Sequence, residues 1–183
     1  KVLQTQLSCS KKVIFADAFF TNRSLNYIKS FDENITFIKN DRAPERRDAI
    51  EIIDFNKNII SSFVEGQNNY CVFTSKTELK ELEIAFNTAQ DFVPGLGDKQ
   101  GLFYHADKSD LMDAGLQTIN ETWSKQNIVA VSPKITVGCS FTEKHFDNVF
   151  VKGCASSCCV RDTFQSIMRS RHIKRNIRLI RKN

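Results

Sequence analysis

The strongest constraint on how this chain can fold is a set of strand-length apolar runs separated by longer stretches of helical periodicity. Residues 70–74, 102–104, 127–131 and 146–151 are short and nearly all apolar, so they offer no polar face to water and read as strands buried on both sides. Between them, Ser75 opens a Glu/Lys/Leu helix running to about residue 87 or 88, and Ser109 caps a short helix ending near residue 116. A last helix starts near Val160 and is expected to turn Phe164, Ile167 and Met168 inward and its basic residues outward. Upstream, residues 13–16 read as a short buried strand, 23–30 as helical, 35–39 as a second short strand, and 47–64 as a helix closed by Gly66. Strands alternating with helices predict an α/β fold, a mostly parallel sheet flanked by helices. Ligands of such sheets gather at the carboxyl ends of the strands. The segments to inspect are therefore Asp17-Ala18, Thr74-Ser75-Lys76, His105-Ala106-Asp107, residues 132–141 and the loop before the last helix.

A length of 183 residues suits one sizeable core, or one domain with an appended piece of a second, but not two full domains. No apolar run approaches the roughly 18 residues of a bilayer span, and residues 1–10 are too polar for a signal peptide. Residue 1 is Lys and not Met, as in an excised segment. The net charge of +5 is unevenly placed: residues 161–183 hold eight Lys or Arg and one Asp, leaving 18 basic against 20 acidic side chains in residues 1–160. A basic C-terminal segment of this kind fits a polyanion such as nucleic acid or nucleotide phosphates, or else a solvated helix face.

Six cysteines and three N-x-Ser/Thr sequons, at Asn22, Asn34 and Asn120, are compatible with secretion. A reduced intracellular protein explains both without further assumption. Cys71 and Cys139 lie in apolar runs and read as core residues. Cys154, Cys158 and Cys159 have no second Cys/His pair at a metal-ligand interval, so no metal site is expected. Gly95-Leu-Gly97 with Gly101 departs from a dinucleotide loop by one residue and reads as a plain turn. There is no G-x4-G-K-[ST], no G-x-S-x-G and no H-E-x-x-H. Asp32-Glu33 does not follow an apolar strand, as a magnesium-binding pair would.

Two segments carry more information. Residues 129–141, Val-Ala-Val-Ser-Pro-Lys-Ile-Thr-Val-Gly-Cys-Ser-Phe, lead a buried strand into a small-residue turn. Residues 161–174, Arg-Asp-Thr-Phe-Gln-Ser-Ile-Met-Arg-Ser-Arg-His-Ile-Lys, open the basic segment. Together they resemble the fifth motif (S-P-x-I-T-x-G-x-S-F) and sixth motif (R-D-x-x-Q-x-x-x-R-x-R) of superfamily-two helicases, in particular the origin-binding replicative helicases of large DNA viruses. Val72-Phe-Thr-Ser75-Lys76 resembles the fourth motif, Tyr104–Asp110 the next phosphate grip, and Ile14–Ala18 the third-motif strand. The likeness covers roughly residues 12–175.

The resemblance implies the second RecA-like motor lobe of an ATP-dependent DNA helicase used in replication. Residues 1–30 would hold the end of the first lobe, 31–66 a connecting segment, 67–175 the second lobe and 176–183 a basic tail. Arg169 would be an arginine finger, and Gln165, one turn earlier, would position water or sense the γ-phosphate. Either Arg171 or His172 would fill the place of a second arginine, and Met168 stands where the family usually has Gly. Gly138, with Gln165 and Arg169, would approach the nucleotide. Ser75, Lys76, Ser109, Thr136 and Lys174 would contact the nucleic-acid backbone without reading sequence. ATP and Mg would be held mainly by an N-terminal lobe, so this chain alone is expected not to hydrolyse ATP. Implied partners are single-stranded or duplex DNA, that lobe and other replication proteins, with no membrane, inside the host cytoplasm or nucleus if viral. Trp123 reads as a core plug sooner than as a base-stacking residue. A catalytically silent nucleic-acid-binding or scaffolding α/β domain is the alternative.

Overall fold

The computed structural model describes residues 49–107, 116–132, 139–154, 157–175 and 177–180, and toward the N-terminus residues 5, 9–15, 21–31, 35, 36 and 38. The chain divides into two units, Lys1–Glu45 and Arg46–Asn183. In the first, helix α1 (Asn22–Lys29) is capped by Thr21, whose Oγ1 accepts from the Ser24 amide at 3.3 Å. The strand expected at 13–16 is not formed over its described part: residues 13–15 have no regular structure, and Val13, Ile14 and Phe15 are exposed. Residues 35, 36 and 38 likewise carry no strand. Runs this short gain little unless a neighbouring strand takes their backbone donors.

The second unit is an α/β layer. Its elements are β1 (Ala49–Glu51), α2 (Phe55–Val64), β2 (Asn69–Phe73), α3 (Lys76–Phe92), β3 (Gly101–Tyr104), α4 (Ile119–Trp123), β4 (Ile128–Val131), β5 (Asn148–Lys152), α5 (Val160–Ile167) and β6 (Ile177–Ile180). The strands form one sheet in the order β1-β6-β5-β2-β4-β3, every pair parallel. The α/β class and parallel sheet read from the apolar runs are thus observed.

Over the central strands both sheet faces are dry, which is why residues 70–73, 128–131 and 149–151 are all apolar. Tyr70, Val72, Val129, Val131, Val149 and Val151 face one layer, completed by Trp123, Phe141, Phe146 and Ile167. Cys71, Phe73, Ile128, Ala130 and Phe150 face the other, covered by Phe55, Ile59 and Phe63 of α2 and Leu79, Leu82 and Phe86 of α3. Trp123 is fully buried and its indole N–H donates to Tyr104 Oη at 3.1 Å. It is a core plug, as expected. Truncating a side chain of that size typically costs about 3–5 kcal/mol. Burial pushes the Cys71 thiol far above its ordinary range, in keeping with a core residue.

Several boundaries differ from expectation. The helix expected from residue 47 starts at Phe55, because 49–51 pair in parallel with β6, and Ile50 and Ile53 are exposed. Its end is as read: Gly66, at φ +76°, closes a Schellman turn in which the Gly66 amide donates to Phe63 O and the Gln67 amide to Ser62 O, each at 3.0 Å. Residues 177–180, expected in a basic tail, form a sheet strand between β5 and β1. The segment 31–66, expected as a connector, contributes β1 and α2 to this unit. Of the three residues expected inward at the last helix only Ile167 is buried; Phe164 and Met168 are 51% and 41% exposed. Gly101 begins β3 where a Cβ would lie 2.8 Å from both Phe86 and Phe103 rings. Its role is close packing, so the Gly95–Gly101 stretch is no phosphate loop.

Candidate functional site

The carboxyl edge of the sheet begins where β2 ends. Thr74 is buried; its backbone N–H donates to Lys152 O at 3.1 Å, its Oγ1 accepts from the Cys154 amide, and its carbonyl accepts from Ser157 Oγ. These contacts hold the loop after β5 against the end of β2. Ser75 is the N-cap of α3 by backbone conformation, yet its side chain makes no capping hydrogen bond, so its hydroxyl oxygen is not taken up by a helix N–H. Lys76 follows at the first position of the helix.

Lys76 does not stand alone. Lys80, one turn on, joins it on Asp107 from the loop after β3: Asp107 Oδ1 is 2.9 Å from Lys76 Nζ, and Oδ2 contacts Lys80 Nζ. Hydrogen bonds from Lys76 and Lys80 hold the Asp107 carboxyl down to about 2. Two residues earlier the same loop is tied to α3 again, where buried His105 meets Glu83 Oε2 at 3.2 Å. Lys80 had a sequence signal, an i, i+4 Lys pair opening a helix after a buried strand. Asp107 had none for its pairing, being far along the chain from both lysines.

The segments resembling the fifth and sixth motifs meet side by side. Phe141 and Ser170 form a parallel bridge, with the Phe141 amide donating to Arg169 O at 2.8 Å and the Arg171 amide to Phe141 O at 2.9 Å. Side chains reinforce it: Arg169 Nη1 donates to Cys139 O at 3.0 Å, and Arg171 Nε to Ser140 Oγ at 2.9 Å. Arg169 therefore lies just past α5, whose C-cap is Met168, and Gln165 sits half-buried on the helix one turn before it. Tyr70, buried in β2, pins the helix end by donating to Ser166 O at 2.9 Å. Desolvation pushes the Tyr70 phenol and the Cys139 thiol above their ordinary values, and the Arg169 charge pulls the other way on each.

Not every expected site residue comes to this edge. Ser109, Thr136 and Gly138 lie outside the described residues. Lys174 is at the opposite, amino edge, where its Nζ is 3.3 Å from Asp147 Oδ1 immediately before β5. Among the described residues no group of three or more His, Cys, Asp or Glu is placed to hold a metal ion, and none of their helices is long and apolar enough to cross a membrane.

A family model described as "Origin of replication binding protein" matches residues 10–181. The chain belongs to that family. Two relatives of the chain come from Acanthamoeba polyphaga mimivirus. One, named "Putative replication origin-binding protein", is 28% identical over 186 aligned residues, covering 96% of this chain and 22% of its own length. The other, named "Uncharacterized putative helicase R8", is 26% identical over 179, covering 90% of this chain and 16% of its own length. The chain thus spans about a fifth of the relatives it matches. The resemblance read from the fifth- and sixth-motif residues holds at the level of this family.

Proposed function

We infer that the chain is the second RecA-like motor lobe of an ATP-dependent DNA helicase that acts in origin-directed replication. The observation that carries this reading is the pairing of residues 139–141 with 169–171, which joins the segment preceding β5 to the end of α5. In a two-lobed motor those two segments must move as one body, so that a shift at the nucleotide reaches the DNA. Their mutual hydrogen bonds would provide that rigidity. The parallel sheet and the helicase-named relative add support.

In this reading ATP and Mg bind mainly to a preceding lobe of the same protein. Arg169 enters from this lobe to stabilise charge developing on the γ-phosphoryl, a positioned cation acting where the transition state is most anionic. Gln165 orients the attacking water from the turn before. Arg171, exposed and bonded to Ser140, and the Ser75–Lys76 corner meet the nucleic-acid backbone, contacts that position a strand without reading it.

A second reading is favoured by the Arg169–Cys139 bond: a guanidinium already on a carbonyl could be a structural pin in a catalytically silent binding domain. Arg169→Ala in the full-length protein separates the two. The motor reading predicts DNA-stimulated ATPase turnover lower by about 10³-fold or more, the scale of an arginine finger, with DNA binding retained and no rescue by Arg169→Lys, which lacks the fork geometry. Unchanged turnover contradicts it.

A further inference from the structure

Lys76 and Lys80 are one turn apart on α3, so two ammonium groups share a face and repel. Asp107 answers both with its two oxygens, one to each lysine. The Lys76, Lys80 and Asp107 side chains are 47%, 42% and 44% exposed, so a ligand larger than water reaches them. Exposed ion pairs of this kind add little to stability, and His105–Glu83 already ties the loop to α3. Folding thus gives little reason for the arrangement. Its chemistry is that of two cations holding two oxygens of one anion, which is how a lysine pair holds the non-bridging oxygens of a phosphodiester. One carboxylate also leaves the pair one positive charge in excess. Beside it stands Ser75, with no capping hydrogen bond from its hydroxyl. The nearby acid Glu78 is occupied with Lys152, at 3.5 Å.

We propose that Lys76, Lys80 and Asp107 form a carboxylate-gated phosphate site, in which Asp107 occupies the lysine pair in the free protein and gives way to a backbone phosphate of single-stranded DNA. This rests on the reading of the carboxyl edge as the DNA-facing edge. It adds Lys80 as a second phosphate contact and makes Asp107 a built-in competitor that keeps the grip weak and exchangeable. The consequence runs against ordinary intuition: deleting an ion pair strengthens binding.

The test is fluorescence anisotropy of a labelled oligothymidylate with the 183-residue chain and its variants, across a salt series. Asp107→Asn should tighten binding about two- to fivefold at low salt, the range expected for freeing an exposed ion pair, and the gain should fade as salt screens the pair. Asp107→Glu should return parental affinity, and a circular dichroism melt matching the parent would show that folding is intact. In the Lys76→Ala/Lys80→Ala background the gain should vanish. Unchanged or weaker binding by Asp107→Asn overturns the gate, as does an equal gain without the lysines, which would make the effect one of net charge. Tighter binding of ATP in place of oligothymidylate overturns it too. A parent chain that binds no oligothymidylate even at low salt defeats the DNA-facing reading itself, and the gate with it. A parent that binds, with Asp107→Asn no tighter, defeats the gate alone.

Discussion

The two edges of the parallel sheet are both rich in polar side chains, yet they use them in opposite ways. At the amino edge the strands are preceded or opened by amides and one acid. Gln100 donates its backbone N–H to Asn127 Oδ1 at 3.0 Å, Asn127 Nδ2 donates to Asn68 Oδ1 at 2.9 Å, and the Asn68 amide donates to Asp147 Oδ2 at 2.8 Å. Behind this ladder the fully buried Asn69 and Asn148 meet: Asn148 Nδ2 donates to Gln67 Oε1 at 2.7 Å and reaches Asn69 Oδ1 and Ser62 Oγ at 3.1 Å. Lys174 closes the outer end on Asp147. Most of these groups are turned on one another. At the carboxyl edge Ser75 makes no side-chain cap, and Lys76, Lys80 and Asp107 are open to solvent. Polar residues that bond to each other hold strands in register; polar residues held at the surface, at the ends of the same strands, can be lent to a ligand.

That contrast can be broken from either side. The largest effect is expected inside the amino-edge network, where Asn148→Ala leaves buried partners without their donor and should lower unfolding free energy by about 1–3 kcal/mol. Oligonucleotide affinity of the folded variant should stay at the parental level. Urea denaturation and anisotropy measure both, and a loss of binding without a loss of stability would reverse the assignment of the two edges. A smaller effect is expected at Ser75. An N-cap serine usually contributes about 1 kcal/mol through its hydroxyl, but this one makes no such bond, so Ser75→Ala should change stability by only a few tenths while weakening oligothymidylate binding. A full capping loss would contradict this.

The smallest effect concerns acid. Asp107 is held from an ordinary 3.8 down to about 2, so its contribution to stability is present above about pH 4 and is lost as pH falls through 2. Melting temperatures of parent and Asp107→Asn should differ by a small constant above that window and converge within it, the pair being exposed and worth little. Divergence that grows between pH 5 and 8 would point to a different titrating group.

The central strands were legible because both of their faces are buried. Residues 70–73 and 128–131 carry apolar side chains throughout, and no helix of that composition is so short. The sheet's other flank was not legible. Residues 177–180 sit in an Asn-Ile-Arg-Leu-Ile-Arg stretch inside the basic run, where charge masks a strand pattern, and β1 is three residues whose one isoleucine, Ile50, falls in phase with the helix that follows. The inward face of α5 was misread for a related reason. Val160, Phe164 and Met168 share an apolar stripe, but the sheet takes the side bearing Ser166 and Ile167. Of the candidate site, the sequence singled out residues 129–141 and 161–174 as segments of interest, but not their pairing through 139–141 and 169–171. The Asp107 gate and the seat of Lys174 depend on contacts between distant segments, which no local pattern encodes.

The claim that the carboxyl edge is the working edge is tested most directly by setting Lys76 against Lys174. Both are exposed lysines paired to one aspartate, so they differ chiefly in the edge they occupy. In oligothymidylate titrations over a salt series, Lys76→Ala should weaken binding and reduce the slope of log K against log salt by about 0.7, one phosphate contact on a single strand, while Lys174→Ala should leave that slope as it is. A slope lost with Lys174 and kept with Lys76 would contradict the account.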